Sequence, residues 1–157
     1  MTAPLTGGCQ CGAVRFRVDG PLGRASICHC RMCQKATGGF FGPYVGVRAE
    51  HLTWTRGEPK RFASSNKVRR GFCPECGGVL TFEYAPEIVE LAIGAFDDPR
   101  PIRPVIQMAV EARLPWFGEL AGLPTRTSAE QAEYDQWSAA VVSNQHPDRD
   151  TDAWPAV

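Results

Sequence analysis

The pattern of apolar and polar positions predicts a chain built mainly from short β-strands. Residues 13–18, Ala-Val-Arg-Phe-Arg-Val, alternate apolar and polar side chains with period two, which is typical of a strand with one buried face. Seven further β-prone runs follow between turn signals, at residues 44–47, 52–55, 61–63, 68–72, 79–84, 89–95 and 105–112. Repeated short strands of this kind indicate a mainly β domain.

Helical patterns occur in only two places. Residues 31–37 have room for one or two turns before a pair of glycines ends them. Near the C-terminus, Ser128 followed three residues later by Gln131 resembles a capping box, and apolar residues beyond it approximate a helical stripe. We therefore predict a second helix near residues 129–142.

Composition and charge fit one folded protein and exclude several functions. The 157 residues are 43% hydrophobic and 22% charged, and 17 basic side chains balance 17 acidic ones, which argues against a nucleic-acid binder. No apolar run has the length of a membrane span and no export signal is recognisable, so we expect a cytoplasmic protein. We predict a β domain over residues 1–127 and a C-terminal helix with an acidic tail over residues 128–157. The oligomeric state stays open.

Seven cysteines carry the strongest chemical signal. An odd number does not suit a disulfide framework, which makes metal binding the better interpretation. Cys73 and Cys76 have the CxxC spacing of a zinc knuckle, and a structural zinc usually needs four ligands. Cys9 and Cys11 can supply the other two because residues two apart share one face of an extended segment. These four thiolates would form a closed structural site.

The other three cysteines predict a second, more open site. Cys28, Cys30 and Cys33 combine CxC and CxxC spacings, and three protein ligands with a vacant position are typical of a zinc ion that takes part in chemistry. Such a sulfur-rich zinc is a weak Lewis acid, which favours an incoming thiol over hydroxide-driven hydrolysis. Two alternatives remain open: a histidine such as His29 closes the site, or the thiols hold no metal and act in redox chemistry.

Basic side chains near the cysteines are candidates for binding an anionic thiol. Lys35 follows the second cysteine group, and Arg69 and Arg70 precede the CxxC pair. They could pair with the carboxylates of a thiol such as glutathione. The alternative for all three is ordinary solvent exposure. No local motif of a serine hydrolase, a P-loop protein or a zincin is present.

The order of the cysteine motifs resembles the glutathione-dependent formaldehyde-activating enzyme family, which includes centromere-protein-V-like domains. The resemblance covers about residues 4–127 and rests on three segments, Gly8–Val14, Cys28–Gly38 and Arg70–Gly77. It implies a mainly β fold of antiparallel, tent-like sheets around two zinc sites. It also implies a structural zinc on Cys9, Cys11, Cys73 and Cys76 and an exchangeable zinc on Cys28, Cys30 and Cys33.

The family's namesake activity joins glutathione to formaldehyde and is classed as a carbon–sulfur lyase reaction. The resemblance therefore implies a zinc-dependent enzyme acting on a small thiol adduct such as S-hydroxymethylglutathione. The three-cysteine group would be catalytic, with His29 or a water moving the hydroxyl proton. One departure stands out, because relatives often carry a histidine where this chain has Gln107. The alternative function is a non-catalytic two-zinc binding or scaffold module.

Overall fold

Ten strands and two α-helices make up the protein in a computed structural model that describes residues 4–155. The outermost residues of the two predicted segments, 1–3 and 156–157, lie outside this range. The strands are β1 Leu5–Gly8, β2 Arg15–Val18, β3 Ala25–Cys28, β4 Gly42–Arg48, β5 Leu52–Arg56, β6 Lys60–Ala63, β7 Arg69–Phe72, β8 Val79–Ala85, β9 Ile88–Ala92 and β10 Ile106–Met108. The helices are α1 Arg31–Thr37 and α2 Ser128–Ser138.

The strands form two sheets, which confirms the predicted mainly β fold. A three-stranded sheet has the order β1-β2-β5, and a seven-stranded sheet has the order β10-β3-β4-β9-β8-β7-β6. All pairs are antiparallel except β10 and β3, which run parallel, so the larger sheet is mixed rather than purely antiparallel. The parallel pair joins the late strand to the segment that carries the three-cysteine group.

The core lies between the two sheets. Phe16 and Val18 from β2 pack against Val45 and Val47 from β4 and Leu91 from β9, and all five are almost fully buried. Because strand side chains alternate between faces, the neighbours of these residues in β4 and β9 point to the opposite face of the larger sheet. That opposite face is the one onto which the second cysteine group opens.

Two predicted strands are shorter in the structure than in the sequence pattern. Residues 93–95 and 110–112 form single 3₁₀ turns at the ends of β9 and β10. Helix α1 has the predicted range. Helix α2 begins one residue earlier than predicted, because its capping box is formed by Thr127 and Glu130 rather than by Ser128 and Gln131, and it ends at Ser138 rather than near residue 142.

The acidic tail docks onto the β domain. The backbone N–H of His146 donates to the carbonyl of Gln10 at 2.7 Å, and the indole N–H of Trp154 donates to the carbonyl of Cys11 at 2.6 Å. Asp150 forms an ion pair with Arg15 at 2.8 Å. The tail therefore covers the first cysteine pair. Within residues 4–155, no helix combines the length and apolar character that crossing a membrane requires.

Candidate metal centres and the adjoining cavity

Four cysteines from distant parts of the sequence form the first cluster. The ligand atoms of Cys9, Cys11, Cys73 and Cys76 all lie within 4.8 Å of one another, as the spacing predicted. The Sγ atoms of Cys9 and Cys11 are 3.6 Å apart, and those of Cys11 and Cys73 are 3.8 Å apart. These separations are far longer than a disulfide bond, and all the cysteines are unpaired. The four sulfurs could hold one metal ion.

Backbone N–H groups donate hydrogen bonds to sulfurs of this cluster, and the thiol pKa values differ within it, because burial raises the pKa of Cys73 to about 12. The N–H of Val14 donates to the Sγ of Cys9 at 3.3 Å, and the N–H of Glu75 donates to the Sγ of Cys73 at 3.4 Å. At Cys76, burial alone would raise the pKa, but backbone N–H groups and neighbouring thiols outweigh it and lower the pKa to about 7. Thiolate is the form that binds metal.

The second cluster gathers Cys28, Cys30 and Cys33, whose ligand atoms also lie within 4.8 Å of one another. Cys28 ends β3, Cys30 precedes α1, and Cys33 lies within that helix. The Sγ of Cys30 caps the helix by accepting from the N–H of Cys33 at 3.3 Å. The turn between strand and helix therefore brings the three sulfurs together. Within the described chain, no histidine joins this group.

Arg70 is the basic residue that the structure brings to the second cluster. Its side chain is only 2% exposed and donates from Nη2 to the Sγ of Cys33 at 3.3 Å. Its Nη1 donates to the hydroxyl of Tyr44 at 3.0 Å, and its Nε donates to the hydroxyl of Ser64 at 2.9 Å. The guanidinium also lies over the ring of Phe82. Its charge therefore faces a sulfur, and the predicted contact of Arg70 with a substrate carboxylate remains a prediction.

The charge of Arg70 matters because the cluster is partly buried. Burial raises the pKa of Cys33 to about 12, even though Arg70 acts in the opposite direction. Burial likewise raises the pKa of Tyr44 to about 12, so this phenol stays neutral over the ordinary pH range. Arg70 is thus the nearby positive group that can balance negative sulfur.

The two other predicted basic residues lie elsewhere on the surface. Lys35 in α1 and Arg69 in β7 are both exposed, and neither lines the cavity beside the cluster. Strand alternation turns Arg69 away from the face that Arg70 occupies. Their predicted contact with an anionic thiol remains a prediction.

His29 is fully buried, and its ring is held by neighbours outside the cluster. Its Nε2 lies 2.9 Å from the Oε1 of Gln107, and its ring packs edge-on against Phe117 with centroids 4.7 Å apart. The Nδ1 atom has no hydrogen-bond partner within residues 4–155. Gln107 therefore orients His29, which lies between Cys28 and Cys30 in the sequence.

A cavity of about 590 Å³ opens beside the second cluster. Cys28 and Cys33 lie at one end, and the cavity follows the open face of the seven-stranded sheet past Tyr44 to Glu90. Its remaining walls are largely apolar and include Leu22, Val47, Phe82, Tyr84, Ile88 and Met108.

The sequence predicts neither a hydrogen-bond donor to the substrate at Tyr44 nor a charged site residue at Glu90. A signal was present for Glu90, which is a lone acid between apolar residues of a β-prone run. Tyr44 begins a β-prone run and also ends the segment Gly38–Tyr44, whose aromatic rings the sequence places either against the metal or in the hydrophobic core. Recognising either residue requires knowing which face of the sheet is open, and the alternation pattern does not specify that face.

Comparisons with known proteins agree on one family. The family described as glutathione-dependent formaldehyde-activating enzyme matches residues 4–112. A Halomonas elongata protein is 32% identical over 127 residues, which span 71% of this chain and 78% of that protein. Its name provisionally assigns it as a glutathione-dependent formaldehyde-activating enzyme. A crystal structure from Rhodobacter sphaeroides shares the fold, with a TM-score of 0.54 and 23% identity over 66% of this chain and 99% of that one.

Proposed function

Because the chain belongs to the glutathione-dependent formaldehyde-activating enzyme family, we propose that it forms and breaks the carbon–sulfur bond between formaldehyde and a small thiol such as glutathione. The observation that carries this proposal is the convergence of Cys28, Cys30 and Cys33 at the end of a cavity. A thiol in that cavity would meet the sulfurs of Cys28 and Cys33, with Cys30 beside them, and no histidine of the described chain belongs to this group.

The donor atoms of both clusters fit zinc. Sulfur ligands select zinc over the hard cations that prefer oxygen, and four sulfurs make a closed site whereas three leave a position for another ligand. Cys9, Cys11, Cys73 and Cys76 would hold a structural zinc, and Cys28, Cys30 and Cys33 a second one. The second ion would lower the pKa of an approaching thiol and keep its sulfur close to formaldehyde.

The reaction is an addition without any change of oxidation state. The thiol loses its proton, and a sulfur electron pair forms the new bond to the formaldehyde carbon. The π electrons of the carbonyl move to its oxygen, which takes up a proton to give the S-hydroxymethyl product. The reverse reaction breaks the carbon–sulfur bond and is the lyase direction.

Two buried side chains would assist these steps. Arg70 offsets the negative charge of the sulfurs through its contact with Cys33. Tyr44 accepts a hydrogen bond from Arg70, and its neutral hydroxyl can donate a hydrogen bond to the carbonyl oxygen as charge develops there, while the proton that the oxygen finally takes up comes from solvent. We assign this donor role to Tyr44 rather than to His29, because Tyr44 lines the cavity and His29 is enclosed by Gln107 and Phe117.

Exchange NMR of formaldehyde with glutathione tests the proposal, because the enzyme should accelerate interconversion of the thiol and its adduct. Cys30→Ser should abolish the acceleration while zinc stays in the four-cysteine cluster. Met32→Leu, which changes an exposed residue inside the same motif, is the matched control and should behave as wild type. Tyr44→Phe should slow turnover by about 10²- to 10³-fold with unchanged zinc content.

Full activity in Cys30→Ser would overturn the proposed site. If zinc-loaded wild type accelerates the exchange with none of a panel of small thiols, the alternative of a non-catalytic two-zinc module gains support. The first result would contradict the assigned catalytic site, whereas the second would contradict the proposed reaction.

A further inference from the structure

We infer that the cavity beside Cys28 and Cys33 prefers, over glutathione with its two carboxylates, a thiol with a long apolar body and a terminal ammonium group, and that Glu90 pairs with this ammonium. The assumption that the ligand is a thiol bound near the cysteines rests on the proposed function. The apolar body and the terminal ammonium group are inferred from the shape, lining and charge of the cavity itself.

The sheet register fixes how far the two ends are apart. Cys28 in β3 pairs with Gly42 of β4, and Glu90 in β9 pairs with Gly46 of the same strand. Four residues along β4 span roughly 13 Å, and β3 and β9 lie on opposite sides of β4, about 10 Å apart. A ligand that reaches both ends must therefore have a long chain.

The floor of the cavity leaves room for such a chain. Gly46 lies between the two ends, and a Cβ atom added there would meet only the Cγ2 of Ile88, at 3.8 Å. Ile88, Phe82 and Tyr84 supply apolar surface towards Glu90, and Met108 supplies it at the Cys28 end. Burying methylene groups against such walls is favourable, whereas burying carboxylates there is costly.

Glu90 gives the cavity its inner charge. The side chain is half-buried between Gly46 and Phe82 on the neighbouring strands, and no hydrogen bond or ion pair within residues 4–155 involves its carboxylate. Burial raises the pKa of Glu90, because the half-buried position disfavours the charged carboxylate. An ammonium group would supply the missing partner.

Two arginines also line the cavity, but they lie at its exposed rim. Arg48 already pairs with Glu50 at 2.8 Å, and both of these side chains are largely in solvent. Arg24 is exposed as well. Solvent screens charges at such positions, whereas the half-buried carboxylate of Glu90 is screened less. We therefore expect the negative charge of Glu90, rather than the positive charges of the rim, to determine whether a cationic or an anionic ligand binds more tightly.

A matched pair of probes tests the inference. Aminooctanethiol and mercaptooctanoic acid have the same thiol and the same apolar chain but opposite terminal charges. By calorimetry on the zinc-loaded protein, we expect the aminothiol to bind at least about tenfold more tightly. Glu90→Gln should remove this preference, and Gly46→Leu should weaken both probes by filling the floor.

Two control variants separate these effects from general damage. Glu87→Gln removes an exposed acid outside the cavity, and Gly118→Leu adds a side chain where nothing lies within 4 Å. Both should keep wild-type affinities and the wild-type preference. Equal or tighter binding of mercaptooctanoic acid, or an unchanged preference in Glu90→Gln, would overturn the inference.

The S-methyl ether of aminooctanethiol separates this inference from the proposed function. Its sulfur cannot become a thiolate, so its binding reports on the apolar body and the ammonium alone. If wild type shows no formaldehyde chemistry but still binds the ether in a manner that depends on Glu90, the proposed function fails and the cavity assignment stands. If formaldehyde chemistry is present but the ether binding ignores Glu90, the cavity assignment fails alone.

Discussion

Arg70 shows how strongly one residue's role depends on the face of the strand that carries it. In the sequence, Arg69 and Arg70 are adjacent basic residues, and both are predicted to bind an anionic thiol. In the structure, Arg69 is exposed and Arg70 donates to the Sγ of Cys33 from a buried position. The period-two pattern predicts that the two point in opposite directions, but it does not show that a cysteine lies on the inner side.

We expect Arg70→Gln to weaken zinc binding at the three-cysteine cluster by about 10- to 100-fold, because it removes a charged hydrogen bond to a ligand sulfur. Competition with a chromogenic chelator measures this affinity. The exposed neighbour provides the control Arg69→Gln, and the four-cysteine cluster in the same molecule provides a second reference. Equal losses at both clusters would show general destabilisation instead.

Asp97 and Asp98 are adjacent carboxylates with very different environments. Asp97 accepts hydrogen bonds from Arg15 at 2.8 and 2.6 Å, and that arginine is only 3% exposed. Asp98 pairs with Arg100 at the surface. We expect Asp97→Asn to lower the free energy of unfolding by about 2 kcal/mol, less than a fully broken buried pair because Asp150 still contacts Arg15. Asp98→Asn should leave it unchanged in urea titrations.

The same pair predicts a pH dependence. Burial alone would raise the pKa of Asp97, but hydrogen bonds from Arg15 and Thr6 and the charge of Arg15 outweigh it and lower the pKa below its ordinary 3.8. The stabilisation is therefore fully present above the ordinary carboxyl pKa and is lost as the pH falls through the folded pKa. The stability gap between wild type and Asp97→Asn should shrink below about pH 4. A gap that widens in acid would contradict this account.

At the scale of elements, local patterns predicted most strands but not all of them. Seven of the eight predicted runs lie on the strands from β4 to β10, and the remaining run contains β2. Strand β1, Leu-Thr-Gly-Gly, and strand β3, Ala-Ser-Ile-Cys, have weak alternation and few β-branched residues. Each is held by pairing with a stronger neighbour, β2 or β4, and a local window does not contain that information.

Helix α2 is an element that the rest of the protein does not bury. None of its residues is buried, and Trp137 is 63% exposed. Ala132→Pro should therefore melt the helix, at a cost of about 3 kcal/mol to the helix itself, while the melting temperature of the β domain stays unchanged. Far-UV circular dichroism and thermal unfolding measure the two effects separately.

The matched control places proline where a helix accepts it. Ser128 is the first residue of α2, its N–H needs no partner within the helix, and Thr127 before it is already extended. Ser128→Pro should keep the helical signal that Ala132→Pro loses. A lower melting temperature in Ala132→Pro would instead mean that α2 supports the β domain.

At the scale of the whole molecule, the two clusters show what motif spacing can and cannot predict. The spacing predicted that the pairs Cys9–Cys11 and Cys73–Cys76 share one site, since each pair alone supplies too few ligands. It also predicted the three-cysteine group. The cavity, the enclosure of His29 and the docking of the tail arise from contacts between distant segments, so no local pattern reveals them.

The docked tail leads to a prediction about metal release. Trp154 and His146 donate hydrogen bonds to the backbone carbonyls of Cys11 and Gln10, respectively. The His146 ring fills the space that a side chain at Gly12 would need, and the positive φ of Gly12 also favours glycine. These contacts fix the loop that carries the first cysteine pair. Loosening the loop should let the four-cysteine cluster open more often to a chelator.

We therefore expect Trp154→Phe, which removes the donor to Cys11 but keeps an aromatic ring, to release zinc from the four-cysteine cluster about fivefold faster, as the loss of one hydrogen bond predicts. A chelator chase on the zinc-loaded protein measures both clusters in one experiment. Trp137→Phe changes an exposed tryptophan of α2 and should have no effect. Faster release from the three-cysteine cluster alone would contradict this account, because the tail's described hydrogen bonds to the cysteine segments go to the carbonyls of Gln10 and Cys11 and not to α1.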